Sequence, residues 1–230
     1  MAKPDNDVIA RIFDDAAESY DQCSNLYAMK RRADALAPTS NGRCMEFGGG
    51  TGAVTAGLVG QSKVIHSDIS PNMCRIAKNR LGCASLCLDA EAIPLTAESV
   101  DTAISSEMIY YLDHPERFLA EAHRVLRTGG KLLISTTNPA ATIIERTRTL
   151  LRRLGLKRMF FDDGAPRFIP LKRLVKMLEK SGFVVEYTTK IVLLPFASLD
   201  WLNRLLELTL LRHFALFMIV VARKTQAPTS

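Results

Sequence analysis

The sequence lacks any stretch that could cross a membrane. Its longest unbroken apolar run, Phe214 to Ala222, has nine residues, against about 20 for a spanning helix. Cysteine is sparse. The five thiols, Cys23, Cys44, Cys74, Cys83 and Cys87, are odd in number and scattered, which argues against a disulfide framework and for reduced thiols in a cytosol. Cys83 and Cys87 have no His or Cys cluster beside them, so no metal site is expected. A strong excess of one charge is also missing. Net charge is +6, too mild to imply nucleic acid by itself. The first residues, Met1 to Asp7, are polar, unlike a secretory signal. No repeat or low-complexity segment is visible apart from a frayed tail after Lys224. What the chain has in quantity is apolar residues, 47% of 230, enough for one large domain or two small ones. A soluble, cytoplasmic protein, at most attached to a membrane surface, is expected.

The most informative stretch is Glu46-Phe47-Gly48-Gly49-Gly50-Thr51-Gly52. The short apolar run Arg43-Cys44-Met45 precedes it and a helix-like run, Ala53 to Val59, follows. Strand, glycine turn and helix N-terminus in that order make a binding loop. Glycines at 48, 50 and 52 remove Cβ atoms, so a ligand can lie against bare backbone. The helix N-terminus would bring free N–H groups and partial positive charge, suited to a carboxylate or phosphate. Glu46 would add an acceptor for a donor-bearing ligand. Gly48-x-Gly50-x-x-Ala53 also fits the dinucleotide fingerprint. An NAD(P)-binding oxidoreductase, another nucleoside cofactor and a tight turn with no ligand all remain open on this loop alone.

The rest of the chain narrows the choice. Residues 7 to 20 have helical spacing, with Val8, Ile9, Ile12, Phe13, Ala16, Ala17 and Tyr20 on one face. A second helix runs from about Leu26 to Ala37 and stops at Pro38. Tyr20-Asp21 falls where a side chain could reach a ligand, although Tyr20 serves equally as a helix-packing residue. Lys63 to Ile69 reads as a buried strand with an acid, Asp68, at its tip, placed to accept from a ribose diol. Ser70-Pro71 then starts a helix, and Ile69 and Met73 would flank a base. His66, mid-strand, reads as a satisfied core histidine. Ser85 to Asp89 gives a third strand, Val100 to Ser106 a fourth, and Lys131 to Thr137 a fifth. A helix from Pro115 separates the last two, with Gly129-Gly130 ending it. Strands alternating with helices predict a parallel sheet covered on both faces. Ligands then sit at the carboxyl ends of the strands, where Glu46, Asp68, Asp89 and Ser105-Ser106 fall.

Residues 42 to 137 resemble the core of a class I S-adenosylmethionine (SAM)-dependent methyltransferase. The likeness is closest to the small-molecule type that includes the ubiquinone/menaquinone and biotin-precursor methyltransferases. It rests on the glycine loop, Asp68-Ile69-Ser70-Pro71-Asn72-Met73, Asp89-Ala90-Glu91-Ala92-Ile93-Pro94-Leu95 and Glu121 to Gly130, with Phe13 to Asp21 matching the group's N-terminal segment. The resemblance implies an α/β, doubly wound, Rossmann-like sheet of seven strands, the last antiparallel, under a helical cap. It implies a single methyltransferase domain over 1–230: a cap at 1–40, a SAM-binding core at 41–137, a basic lid at 138–182, and final strands with a helical insertion at 183–224. In the family the backbone at Gly48 and Gly50 faces the methionine part of SAM, Asp68 takes the ribose hydroxyls, and Asp89 with Ala90 takes the adenine edge. Tyr20, Glu46, Gly52, Ile69, Met73, Ser105 and Ser106 complete the expected cofactor set. A dehydrogenase needs neither Glu46 nor the Asp89 segment, and no catalytic group for a nicotinamide is found. Arg124, with Glu121 three residues back, reads as structural.

The acceptor side is less legible. If a base is needed, the candidates are Glu107, Tyr110, Tyr111 and His114, all after strand four. Some relatives carry a His where Tyr110-Tyr111 stands, which weakens a His base. No Asn-Pro-Pro-Tyr or Pro-Cys follows strand four, which counts against methylation of nucleic-acid bases, and no nucleic-acid partner is expected. Six basic residues and no acid lie between Arg146 and Arg158, ahead of Phe160-Phe161. Such a helix suits a lid over the acceptor, or peripheral contact with an anionic membrane. From Ser198 to Arg212 apolar residues wrap most of a helix, which must then be buried on the sheet edge, around a lipophilic acceptor or in a homodimer contact. The expected function is methyl transfer from SAM to oxygen or carbon of a small, lipophilic molecule. A non-catalytic SAM-binding partner or sensor is the alternative, and protein or RNA methylation a weaker one.

Overall fold

The computed structural model describes residues 6–59, 63–141 and 168–225. The basic 146–158 stretch and Phe160-Phe161 lie outside the described residues. Seven strands form one sheet: β1 Arg43–Phe47, β2 Lys63–Asp68, β3 Ala84–Cys87, β4 Val100–Ser106, β5 Leu126–Thr137, β6 Phe183–Ile191 and β7 Phe217–Lys224. Their order is β3-β2-β1-β4-β5-β7-β6. The first five run parallel, and β7 lies antiparallel between β5 and β6. This is the expected doubly wound sheet with an antiparallel last strand.

Alternation along the central strands builds the core on both faces. Met45 and Phe47 point to one side, where Phe118, Leu119, Leu132, Ile134 and Leu174 gather. Cys44 points to the other, with Leu36, Leu58, Ile104 and Leu133. A strand buried on both faces reads as a continuous apolar run, as these do. Phe47 meets Phe118 edge-on at 5.6 Å. Phe47 is in register with Ser67 and Ser105, so β1, β2 and β4 finish level and their last residues share one rim.

The described helices are α1 Asn6–Ala16, α2 Tyr20–Cys23, α3 Leu26–Leu36, α4 Pro71–Leu81, α5 Pro115–Val125, α6 Leu171–Lys180 and α7 Asp200–Leu206. Helix α4 starts as its sequence predicts. The Ser70 hydroxyl accepts from Met73 N at 3.1 Å, and Gly82, at φ 63°, ends it. Arg124 is structural: its guanidinium donates to the carbonyls of Ile93 and Leu95 and pairs with Glu121.

Four expectations need correction. The helix of residues 7–20 stops at Ala16, because Ser19 donates from both N and Oγ to the Ala16 carbonyl and competes with the helix ladder. Residues 53–59 form no α-helix, only turns and a single 3₁₀ turn, Thr55–Gly57. Gly52, Thr55 and Gly57 are poor helix formers, and a Cβ on Gly57 would sit 2.7 Å from Ala33 on α3. Gly129-Gly130 do not end α5. The chain turns extended at Leu126, and both glycines lie in β5, where four residues bulge opposite Asp101. Residues 198–212 are not one buried helix. They are the short α7 and a 3₁₀ stretch, Leu210–Phe214, with several large apolar side chains exposed.

Candidate functional site

The carboxyl rim of β1, β2 and β4, roofed by α1, α2 and α3, encloses a cavity of about 360 Å³. That volume falls at the lower end of the usual range for small-molecule sites. Its polar wall is built from Glu46, the Gly48–Thr51 loop, Asp68, Asp89 and Ser106, and its roof from Phe13, Tyr20 and Met29.

The loop needs its glycines for two different reasons. Gly48 has φ 66°, and a Cβ there would lie 2.4 Å from Met108 Cγ, while one on Gly49 would lie 2.5 Å from the His66 ring. A Cβ on Gly50, at φ 56°, would meet only Tyr20, at 3.8 Å, so this glycine presents backbone to the cavity. The loop is tied down by Gly49 N to Ser67 O at 2.9 Å and by Gly50 N to Asp68 Oδ2 at 2.8 Å. The other Asp68 oxygen accepts from Ser70 N at 2.9 Å. Burial nonetheless pushes the Asp68 carboxyl above its ordinary range. His66 is a satisfied core residue: Nδ1 faces Ser85 Oγ at 2.8 Å and Nε2 the Gly50 carbonyl at 3.0 Å, and burial pulls its pKa down.

Glu46 is fully buried. Burial pushes its carboxyl up to about 7, against the opposing pull of the Thr55 hydroxyl and the Arg32 guanidinium. Thr55 donates to Oε2, whereas Oε1 has no hydrogen-bond partner among the described residues. Arg32, also buried and lining the cavity, has an equally unpartnered Nε. Its guanidinium lies 4.8 Å from the centre of the Phe217 ring and 3.6 Å from Glu107. One cavity thus holds an unsatisfied acceptor and an unsatisfied cationic donor. Each costs free energy unless a ligand completes it.

On the far side Glu107 stands at φ 60°. Its Oε1 accepts from Ser135 Oγ at 2.9 Å, and its Oε2 from Tyr110 OH at 2.8 Å and Thr137 Oγ1 at 2.5 Å. Burial and the adjoining carboxylate hold the Tyr110 phenol well above its usual pKa. Tyr111 packs against Tyr110 at a tilt, with ring centres 4.7 Å apart, and meets Phe13 edge-on at 5.2 Å. Phe168, Leu216 and Phe217 complete an apolar wall here.

Of the residues singled out from the sequence, Tyr20, Glu46, Gly48, Gly50, Asp68, Ile69, Asp89, Ala90, Ser106, Glu107, Tyr110 and Tyr111 meet at this cavity. Gly52, Met73, Ser105 and His114 are not among its lining. A Cβ on Gly52 would press Leu81 on α4 at 2.7 Å, so that glycine serves helix packing. Met73 and Ser105 are fully buried. His114 is half-exposed beside Glu116. Asp21 does not reach the cavity. It accepts from Thr51 Oγ1 at 2.6 Å and pairs with Arg80. Sequence reasoning missed Arg32. The one available signal was a pair of adjacent arginines on an amphipathic helix, which does not say which of them turns inward. No group of metal-binding side chains occurs among the described residues.

Comparison with known proteins agrees with this geometry. Residues 45–134 match the family model for a methyltransferase domain. The chain is 30% identical to the ubiquinone/menaquinone biosynthesis C-methyltransferase of Syntrophotalea carbinolica, over 75% of this chain and 84% of that one. It is 31% identical to the malonyl-[acyl-carrier protein] O-methyltransferase of Gallionella capsiferriformans, over 80% and 69%. The crystal structure of a SAM-dependent methyltransferase from Thermotoga maritima superposes with a TM-score of 0.71 at 23% identity, covering 94% of this chain and all of that one. With a sheet of this order and direction and relatives of this extent, the chain belongs to the class I SAM-dependent methyltransferases of the small-molecule type, with SAM as its methyl donor.

Proposed function

We propose that the protein methylates an oxygen or carbon atom of a small, lipophilic molecule held in the cavity beside SAM. The observation that carries this reading is a single cavity with two chemically different walls. One wall offers bare backbone, two carboxylates and an unsatisfied acceptor–cation pair. The other is aromatic and aliphatic: Phe13, Met29, Tyr111, Phe168, Leu216 and Phe217.

The polar wall fits SAM by its donor and acceptor set. The unpartnered Glu46 Oε1 and Arg32 Nε match an α-ammonium and an α-carboxylate. Gly50 offers backbone along the same edge, and Asp68 accepts from the ribose diol. Asp89, whose Oδ1 is held by Glu91 N at 2.8 Å, faces the adenine end with Ile69 and Ala90. Residues 1–40 act as the cap, and the whole chain works as one domain.

When bound, SAM supplies a methyl group on a sulfonium that leaves as a neutral thioether, so positioning provides much of the barrier reduction. The chain's own part is to hold the acceptor in line and exclude water. Glu107 already accepts from three hydroxyls and faces Arg32, so both of its oxygens are engaged. Tyr110 donates to Glu107 and is held protonated by its surroundings. Neither is poised to remove a proton. The two form a rigid floor for an acceptor whose reacting atom arrives already nucleophilic, such as a carboxylate or the anion of an acidic enol. Relatives are named for C-methylation in ubiquinone/menaquinone biosynthesis and for O-methylation of malonyl-[acyl-carrier protein].

The test is transfer of labelled methyl from SAM into a cell extract, separated into organic and aqueous phases. Label in the organic phase, absent with Asp68→Asn, is the expected result. Label confined to protein, RNA or water-soluble compounds would overturn the lipophilic acceptor.

A further inference from the structure

We infer that the insertion between β6 and β7 is a membrane-docking surface that seats on anionic lipid. The inference stands on this segment alone and does not depend on the reading of the cavity.

Between Phe196 and Phe214, seven large apolar side chains are exposed, Leu211 the least of them at 48%. Leu208 and Leu210 are each 82% exposed, Trp201 66%, Phe214 65%, Phe196 59% and Leu205 55%. Among the described residues nothing covers them. Apolar exposure this dense marks an interaction site rather than ordinary surface.

The backbone beneath is anchored, so the exposure is held in place. Asn203 is fully buried, and its Oδ1 accepts from Leu193 N and Leu194 N, both at 2.9 Å. Its Nδ2 donates to Tyr27 OH at 2.8 Å and to the Leu194 carbonyl at 2.7 Å. Asn203, Asp200 and Glu207 bond inward while the large apolar side chains face out.

Charge selects the occupant. The segment has two acids, Asp200 and Glu207, and both are committed inward. Arg31 donates to Asp200 at 3.0 Å and to Glu207 at 2.7 Å, and Arg204 also bonds Asp200 at 2.8 Å. Arg204, Arg212 and His213 are exposed around the apolar residues, and Arg212 has no acidic partner among the described residues. Exposed Arg212, without an acid among the described residues, and Arg204, paired with Asp200, beside Trp, Phe and Leu fit the headgroup and upper acyl region of an anionic bilayer. A second copy of the same face would oppose arginine to arginine. No helix among the described residues is long and apolar enough to cross a membrane, so the contact is peripheral. The insertion runs directly into Leu216 and Phe217, which line the cavity, so a docked protein would present its apolar wall to the lipid phase.

Trp201 is the only tryptophan in the chain, which makes the test direct. Vesicles of phosphatidylcholine alone, or with one-third phosphatidylglycerol, are titrated into the full-length protein. Blue-shifted Trp201 emission, quenching by brominated acyl chains, and binding that is stronger for the anionic vesicles and weakens with salt are expected. Leu208→Glu combined with Leu210→Glu should reduce binding at least ~10-fold, with the melting temperature and SAM affinity unchanged. Arg212→Glu should reduce the preference for anionic vesicles while leaving the residual affinity for neutral ones. No shift with anionic vesicles would overturn the proposal, and so would equal binding to both kinds. A lipid-free blue shift that grows with protein concentration alongside a dimer mass would overturn it in favour of a second copy.

Discussion

Replacing Glu46 by Gln separates the charge of this buried carboxylate from its shape. In the free protein the group is raised from an ordinary value of 4.5 to about 7, mainly by burial. The sign follows from linkage. The folded state holds a proton that the unfolded state has lost, so the group's contribution to stability is fully present below about pH 4.5 and disappears as pH rises through 7. Its size is ~3 kcal/mol. Binding an ammonium beside Oε1 reverses the preference and requires the carboxylate. At pH 6 only about one molecule in ten has it ionised, and at pH 8 about nine in ten, so affinity for S-adenosylhomocysteine, which shares the amino-acid end of SAM, should fall ~10-fold from pH 8 to pH 6. Titration calorimetry at pH 6, in buffers of different ionisation enthalpy, should detect release of close to one proton. Glu46→Gln should abolish both the slope and the release, weaken binding at pH 8 by roughly 10- to 100-fold, and make the unliganded protein more resistant to urea at pH 8. Equal affinity at the two pH values, or a slope that survives in the variant, would refute the reasoning.

Other perturbations test other parts of the frame. Asp68→Ala should weaken SAM binding by at least ~100-fold, since hydrogen bonds to a charged group contribute about 1.5–3 kcal/mol each; unchanged calorimetric affinity in a folded variant would misplace the ribose. Gly49→Ala must force a methyl into the His66 ring, so a loss of about 1–3 kcal/mol is expected in chemical denaturation. Arg31→Met leaves Glu207 without its cation, while Asp200 keeps Arg204. It should cost about 3 kcal/mol by the same measurement. Tyr110→Phe should raise the KM for the acceptor more than it lowers kcat and leave the pH profile of kcat in place, because the phenol anchors and does not accept a proton.

The sheet was readable from the sequence because central parallel strands are apolar runs of fixed length closed by acids and glycines. Val100–Ser106 appears with the predicted bounds. The failures share a cause: a local pattern does not say what packs against it. Ala53 to Val59 has helical spacing, but α3 comes too close at Gly57 for a regular helix beside it. Gly129-Gly130 resemble a helix stop yet sit in a strand bulge whose need arises from β4. The leucines from 202 to 211 imply burial only if water is the sole alternative. At the cavity, residues at strand ends were legible because topology sets where strands end. Arg32 was not, since its importance depends on how a helix from outside the motif region is rotated.

Helix α3 carries two neighbouring cations that look in opposite directions. Arg31 grips Asp200 and Glu207 in the outer insertion, and Arg32, one residue on, stands over Phe217 at the cavity beside Glu107. A short helix moves as a stiff body, so a tug on one guanidinium displaces the other. The same short helix thus touches both the outer insertion and the cavity rim, so any coupling between the two faces would run through α3 and, by reciprocity, act in both directions.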